Sequence, residues 1–275
     1  MHRILYNRTL NIRSLNIRNL SNSILNNSTL MRALKHAMQY GAYKKWCMQQ
    51  IVILLTTALV LIFLYPKTNL DALLIAPYFD VAQHQFTLKH NWFFENVMHT
   101  ALKNLMLLIA LSVLTLWLSS YKINQLKQYR RPLIWTFIAM LLATTTVTIV
   151  KHFSNHACPW DLAMYGGNQP LLALFEVLPK GAEAGQCFPG GHASGGFALW
   201  AFYFAFKQTN PKLAQLGLYS GLVFGFVMGW AQMMRGAHFL SHNLWTAWFV
   251  WLVLCLLAAI WPPTKYAGSI LNQHQ

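Results

Sequence analysis

Residues 213–234 read LAQLGLYSGLVFGFVMGWAQMM, a run without charge and apolar apart from two glutamines, a tyrosine and a serine. At about 1.5 Å per residue, a helix of this length crosses the roughly 30 Å hydrocarbon core of a bilayer. Lipid offers no partner to backbone N–H and C=O groups, so such a run has to be helical. Outward from it, five more runs of the same kind stand at 47–65, 104–120, 132–150, 193–208 and 244–262, the 193–208 run being diluted by Gly195 and Gly196. None alternates as barrel strands do. The composition agrees: 56% of the residues are hydrophobic and 10% charged, where a soluble domain carries about 25% charged residues. Soluble, disordered, collagen-like and disulfide-scaffold classes are excluded on these numbers. The expected fold is all-α: a polytopic membrane protein, a six-transmembrane-helix bundle over 47–263, between a basic tail (1–46) and a short tail (264–275).

The formal charge of +15 would suggest nucleic acid on a soluble chain. Here the placement of charge matters more, and no nucleic-acid partner is expected. Arg3, Arg8, Arg13, Arg18, Arg32, Lys35, Lys44 and Lys45 precede the first run; Lys122, Lys127, Arg130 and Arg131 join the second to the third. Lys207 and Lys212 join the fourth to the fifth, and Lys265 follows the last. No acid accompanies them. All six acids, Asp71, Asp80, Glu95, Asp161, Glu176 and Glu183, fall in the other set of loops. Both termini are therefore expected in the cytoplasm, with 66–103, 151–192 and 235–243 facing outward. The first run starts too far from Met1 for a cleaved signal, and no small-x-small site follows it. Within the basic tail, leucine recurs every fifth residue from Leu5 to Leu30. That step turns a helix by about 140° and makes no face. The tail reads as disordered, with an electrostatic tether to anionic lipid as the alternative and Met31 and Met38 as alternative starts.

Ionisable residues at membrane depth are functional candidates by default. Three clusters gather at the outward ends of spans. The first runs from Lys151 through His152, His156, Cys158 and Pro159 to Asp161; the second is Cys187-Phe-Pro-Gly190-Gly191-His192; the third runs from Gln232 through Arg235 and His238 to His242 and Asn243. Lys151 and Arg235 supply fixed positive charge. Gly190 and Gly191 offer backbone N–H groups suited to an anion. His192 and His238 can act as acid, base or nucleophile near neutral pH. A cationic pocket with two histidines at the lipid–water boundary points to phosphoryl chemistry on a lipid head group. His238 and His242 also read as an H-x-x-x-H metal pair, but no third ligand follows at useful spacing, and no metal is expected. Gly217, Gly221, Gly225 and Gly229 form a small-residue seam, expected to pack on Ala193, Ala198, Ala201 and Ala205 of the fourth span. Glu95, His99 and Lys103 share a helical face. A salt bridge is the main reading for them and substrate contact the minor one.

These clusters, in this order, resemble the type-2 phosphatidic acid phosphatase superfamily, whose signature runs K-x-x-x-x-x-x-R-P, then P-S-G-H, then S-R-x-x-x-x-x-H-x-x-x-D. Lys151 and Pro159 match the first motif, Pro189, Gly191 and His192 the second, and His238 the third. The resemblance covers 151–242 by motif, and the six-span layout extends it over most of 47–262. It implies a lipid-phosphate phosphatase of a bacterial inner membrane, with its active site facing the periplasm. It would hydrolyse a lipid phosphomonoester or diphosphate without metal or cofactor. Its partners would be the lipid phosphate and the surrounding membrane lipids. His238 would form a phosphohistidine, and His192 would protonate the leaving oxygen and then activate water. Lys151, Arg235 and the Gly190–Gly191 backbone would bind the phosphoryl oxygens.

The departures are specific. Cys158 stands at the first-motif arginine, Gly190 at the serine, Ala231 and Gln232 at Ser-Arg, and His242 at the aspartate. A cysteine cannot reproduce an arginine's bidentate grip. Arg235, one turn after Gln232, is the expected substitute. His242 can orient the His238 ring as a neutral imidazole, with Asp161 and Asn243 as alternatives for that role. Cys158 and Cys187 both lie in an outward loop and are expected to pair as a disulfide joining the first motif to the second. A phosphotransferase and a non-catalytic lipid-phosphate binder or transporter are the alternative functions. The second draws its support from positions 158, 232 and 242.

Overall fold

The structure is a computed structural model that describes residues 41–264, so the readings made for 1–40 and 265–275 lie outside the described residues. Residues 49–264 form one compact unit; of the other unit, only 41–48 are described, and they are helical. Among the described residues five helices are long and apolar enough to cross a membrane: α1 (Gly41–Lys67), α3 (Phe93–Ser119), the segment Asn124–His152 that contains α4 (Arg130–His152), α7 (Pro211–Met234) and α8 (Leu240–Ile260). The chain is an all-α polytopic membrane protein.

The 193–208 run differs from expectation. It is two short helices, α5 (Gly191–Phe197) and α6 (Trp200–Phe206), joined through Ala198 and Leu199. The glycines that dilute its hydropathy are there for contact. A Cβ on Gly196 would overlap the backbone of Phe224 and Gly225 in α7, so the two chains meet at backbone distance. The glycine seam of α7 does receive α5 and α6, and aromatic side chains lie closest over it. The rings of Phe197 and Trp200 and the side chain of Phe202 lie over Gly225, Gly221 and Gly217, while Gly229 faces Asn243 of α8. Glycine grooves are deep enough for rings, so the aromatic residues take them.

α1 and α3 also start earlier than their apolar runs. α1 is helical from Gly41, and α3 from Phe93 rather than 104. The segment 93–103 carries Glu95, Asn96, His99 and Lys103 among its apolar residues, which hides a helix from a hydropathy window. The loop between α1 and α3 therefore shortens to 68–92. It holds α2 (Leu70–Ile75) and a small hairpin, β1 (Phe79–Asp80) with β2 (Gln85–Phe86), in which Phe79 faces Phe86 and Asp80 faces Gln85. Phe86 enters a buried cluster with Ile75, Leu162, Tyr165, Met233 and Phe239. This cluster packs the loops at this end onto the bundle.

Burial separates core from periphery. About one-tenth of the apolar window of α1 and α3 is buried (11% each), against 33–39% for α4, α7 and α8. The outer pair thus turns most of its surface to lipid, and the inner helices enclose α5 and α6. α1 is tied to α8 by indole donors: Trp248 Nε1 to the Leu54 carbonyl (2.9 Å) and Trp251 Nε1 to Gln50 Oε1 (3.0 Å).

Candidate active site

One end of the bundle brings the three sequence clusters together. Lys151 lies in the last turn of α4. Beyond it, residues 154–156 pair with 185–187 through backbone bonds: Gly185 N–H to Asn155 O, Gln186 N–H to Ser154 O and Cys187 N–H to His156 O (2.9–3.2 Å). Cys158 and Cys187 are joined as a disulfide with their Cα atoms 5.2 Å apart, closing a loop of sequence separation 29. In a chain-entropy treatment a loop of that size is worth about 3.6 kcal/mol.

The third cluster sits on the turn from α7 to α8. Gly236 makes that turn with φ +76, and a Cβ there would overlap the Phe86 ring. Its carbonyl accepts the Trp160 N–H at 2.9 Å, which fastens the first cluster to the third. His238 follows, 4% exposed, with its Nδ1 3.3 Å from Nδ1 of His242 and 3.6 Å from Sγ of Cys187. His242, in the first turn of α8, is equally buried. Its carbonyl accepts the Gly190 N–H (3.3 Å) and the Thr246 hydroxyl (2.7 Å), and the same hydroxyl lies 3.0 Å from the Gly190 carbonyl. Gly190 is thus occupied in a way its motif did not suggest. Its N–H binds α8, and its missing side chain makes room for Asn243. Neither side-chain nitrogen nor oxygen of Asn243, 1% exposed, has a hydrogen-bond partner in the structure. Asp161, the other alternative, accepts from Trp160 Nε1 at 2.9 Å. His242 is therefore the residue whose ring meets His238 Nδ1.

Arg235 is 7% exposed and held on three sides. Its Nε donates to the Lys89 carbonyl (3.1 Å), one Nη lies 3.4 Å from Gln232 Oε1, and the other is 3.6 Å from Glu95. Gln232, at the motif's arginine position, steadies the arginine that stands one turn later. Glu95 is half exposed, so the ion pair places the guanidinium more than it stabilises the fold.

His192 faces a residue that received only a minor reading from sequence. The His99 ring of α3 lies 3.8 Å from the His192 ring, centroid to centroid. The charges of Lys103, Lys151 and Arg235 also bear on His192. His99 and Lys103 therefore belong to the site; the signal in the sequence was their helical spacing with Glu95. Burial, then His99 and the lysines, lowers the His192 pKa to about 3. Burial first, then His242, Lys151 and the His192 charge, pushes His238 well below the usual histidine range. Both rings are neutral at pH 7 in the free protein. A bound phosphate would favour the protonated form of His192, because an opposite charge raises a histidine pKa.

A cavity of about 530 Å³ opens on the far side of His242, lined by His156, Asp71, Ser241, Phe188 and Trp245 among others. His238, His192 and Lys151 do not line it. Asp71 Oδ1 accepts from the Tyr65 hydroxyl (2.7 Å) and from the Ser241 N–H in the first turn of α8 (2.9 Å).

A helical membrane protein that gathers two buried histidines among lysine and arginine at one end of its bundle defines a class suited to phosphate esters. The PAP2 superfamily model matches residues 132–266, from the start of α4 through α8, and the chain belongs to that superfamily. The superfamily comprises phosphatases acting on phosphate esters. No curated protein and no solved structure shows a significant match.

Proposed function

We propose that this protein is a lipid-phosphate phosphatase of a bacterial inner membrane, with its site at the periplasmic face, working through a phosphohistidine on His238. The observation that carries the reading is the 3.3 Å approach of the two Nδ1 atoms of His238 and His242. With the proton on His238 Nδ1 and His242 accepting it, Nε2 of His238 keeps its lone pair for attack. The lone pair forms the N–P bond, the bond from phosphorus to the lipid oxygen breaks, and that oxygen takes a proton from His192. His192 then removes a proton from water, water attacks phosphorus, and the N–P bond breaks. Lys151, Lys103 and Arg235 offset the charge on the equatorial oxygens. His99 against His192 sets the pose of the acid. No metal takes part in these steps. The head group is a phosphomonoester or a diphosphate, since both present the same terminal phosphoryl group.

The test is phosphate release from a panel of lipid phosphates by purified, oxidised protein in detergent with a chelator present. His238→Ala is expected to lower the rate on the order of 10⁴-fold, to background. Release that survives this substitution overturns the histidine mechanism.

A further inference from the structure

We propose that Cys187, His238 and His242 form a redox-gated site for a zinc-class divalent cation, which becomes available when the Cys158–Cys187 disulfide is reduced. Sequence spacing supplied the two histidines and no third ligand; the fold supplies it from another loop. The sulfur of Cys187 and one ring nitrogen from each histidine lie within 4.8 Å of one another, and all three residues are buried. His238 Nδ1 is 3.3 Å from His242 Nδ1 and 3.6 Å from Cys187 Sγ. Tetrahedral zinc, with bonds of about 2.0–2.1 Å to nitrogen and 2.3 Å to sulfur, sets its ligands roughly 3.3 Å (N to N) and 3.6 Å (S to N) apart. Two of the three ligand separations already have these values, without movement of the backbone. One sulfur and two imidazoles select zinc or cobalt over calcium and magnesium, which require oxygen.

In the oxidised protein Cys187 has no thiolate to offer. A dithiol reductant changes that: the S–S bond takes two electrons and two protons, giving two thiols, while the dithiol becomes a disulfide. Zinc then displaces the proton of the Cys187 thiol. Both Nδ1 atoms must give lone pairs to the metal, so the proton that His238 carried on Nδ1 moves to Nε2. Water completes the tetrahedron, because Cys158 is not among the residues whose ligand atoms lie within reach of one another. A histidine metallated on Nδ1 and protonated on Nε2 cannot attack phosphorus. The metal-bound state is therefore a closed state of the catalytic pair. Binding can be read without turnover, so this inference stands or falls apart from the phosphatase reading.

The experiment titrates the purified full-length protein in detergent with Co²⁺, then displaces it with Zn²⁺. It compares oxidised wild type, phosphine-reduced wild type, Cys158→Ser and Cys187→Ser. Both substitutions remove the disulfide, so they share any folding cost and differ in which thiol remains. Reduced wild type and Cys158→Ser are expected to take up one equivalent with a thiolate-to-cobalt band and tetrahedral d–d bands. Oxidised wild type and Cys187→Ser are expected to lose these bands, and reduced His242→Ala likewise. No uptake by either reduced wild type or Cys158→Ser overturns the proposal. So does uptake that is equal in Cys187→Ser.

Discussion

His242 separates two regions of opposite character. On one side stand His99, Lys103, Lys151, His192 and Arg235, where the acid present, Glu95, is turned to Arg235. On the other lies the cavity of about 530 Å³, whose charged lining residues Asp71 and Glu176 are acids. The contrast shows how this chain uses its few carboxylates. Asp71 holds the first turn of α8 and Asp161 holds an indole, so each fixes structure. At His238 the neighbouring group is an imidazole rather than a carboxylate, and the basic side is the one suited to an anion.

Substitutions can break that contrast. Lys151→Ala is expected to cost roughly 10²- to 10³-fold in phosphate release, because it removes a fixed charge from where the transition state develops its own. Asp71→Asn, across His242, is expected to leave turnover within a few-fold. Equal losses would show that the two regions act as one. His242→Ala is expected to lower kcat roughly 10²-fold, while His242→Asp restores it, since a carboxylate orients the ring and also stabilises an imidazolium. A steady-state comparison of the two variants reads this directly.

Two smaller effects fall on stability. Asp71→Ala removes the acceptor at the head of α8 and is expected to cost about 1–2 kcal/mol, measured as a lower unfolding temperature in detergent with little change in kcat. The pH dependence follows from histidines buried neutral. His192, His238 and His156 are all held below the ordinary value, with burial as the first cause. As pH falls below about 6.5, the unfolded chain takes up protons that the folded chain refuses. Stability is thus complete above that pH and declines as pH drops toward the folded value, about 3 for His192. An unfolding temperature that stays flat from pH 7 to 5 would contradict the burial of these rings.

Much of this was legible in the sequence. The uncharged runs at 132–150, 213–234 and 244–262 are α4, α7 and α8 with small shifts at the ends, because lipid leaves a long apolar run no other choice. The pairing of Cys158 with Cys187 and the meeting of His238 with His242 also followed from cluster and spacing. Hidden were the parts that depend on side chains from distant elements. His99 and Lys103 stand on a polar helical turn that hydropathy assigns to a loop. Gly190 looked like an anion-binding residue, and only the contact with α8 shows its N–H committed to His242. Cys187 as a neighbour of the histidine pair needed the fold, since 51 positions separate it from His238.

The bridge between Cys158 and Cys187, together with the short backbone ladder beside it, has an evolutionary consequence. Residues 174–184, the largely exposed part of the loop it closes, leave and return at one fixed point, so their length and composition can drift without moving Lys151 or His192. Closing a loop costs little more as it grows. Phe175 and Val177 already stand on its surface, 78% and 83% exposed. The segment is an exchangeable cassette mounted beside the histidine cluster, and other members of the superfamily would be expected to differ there first.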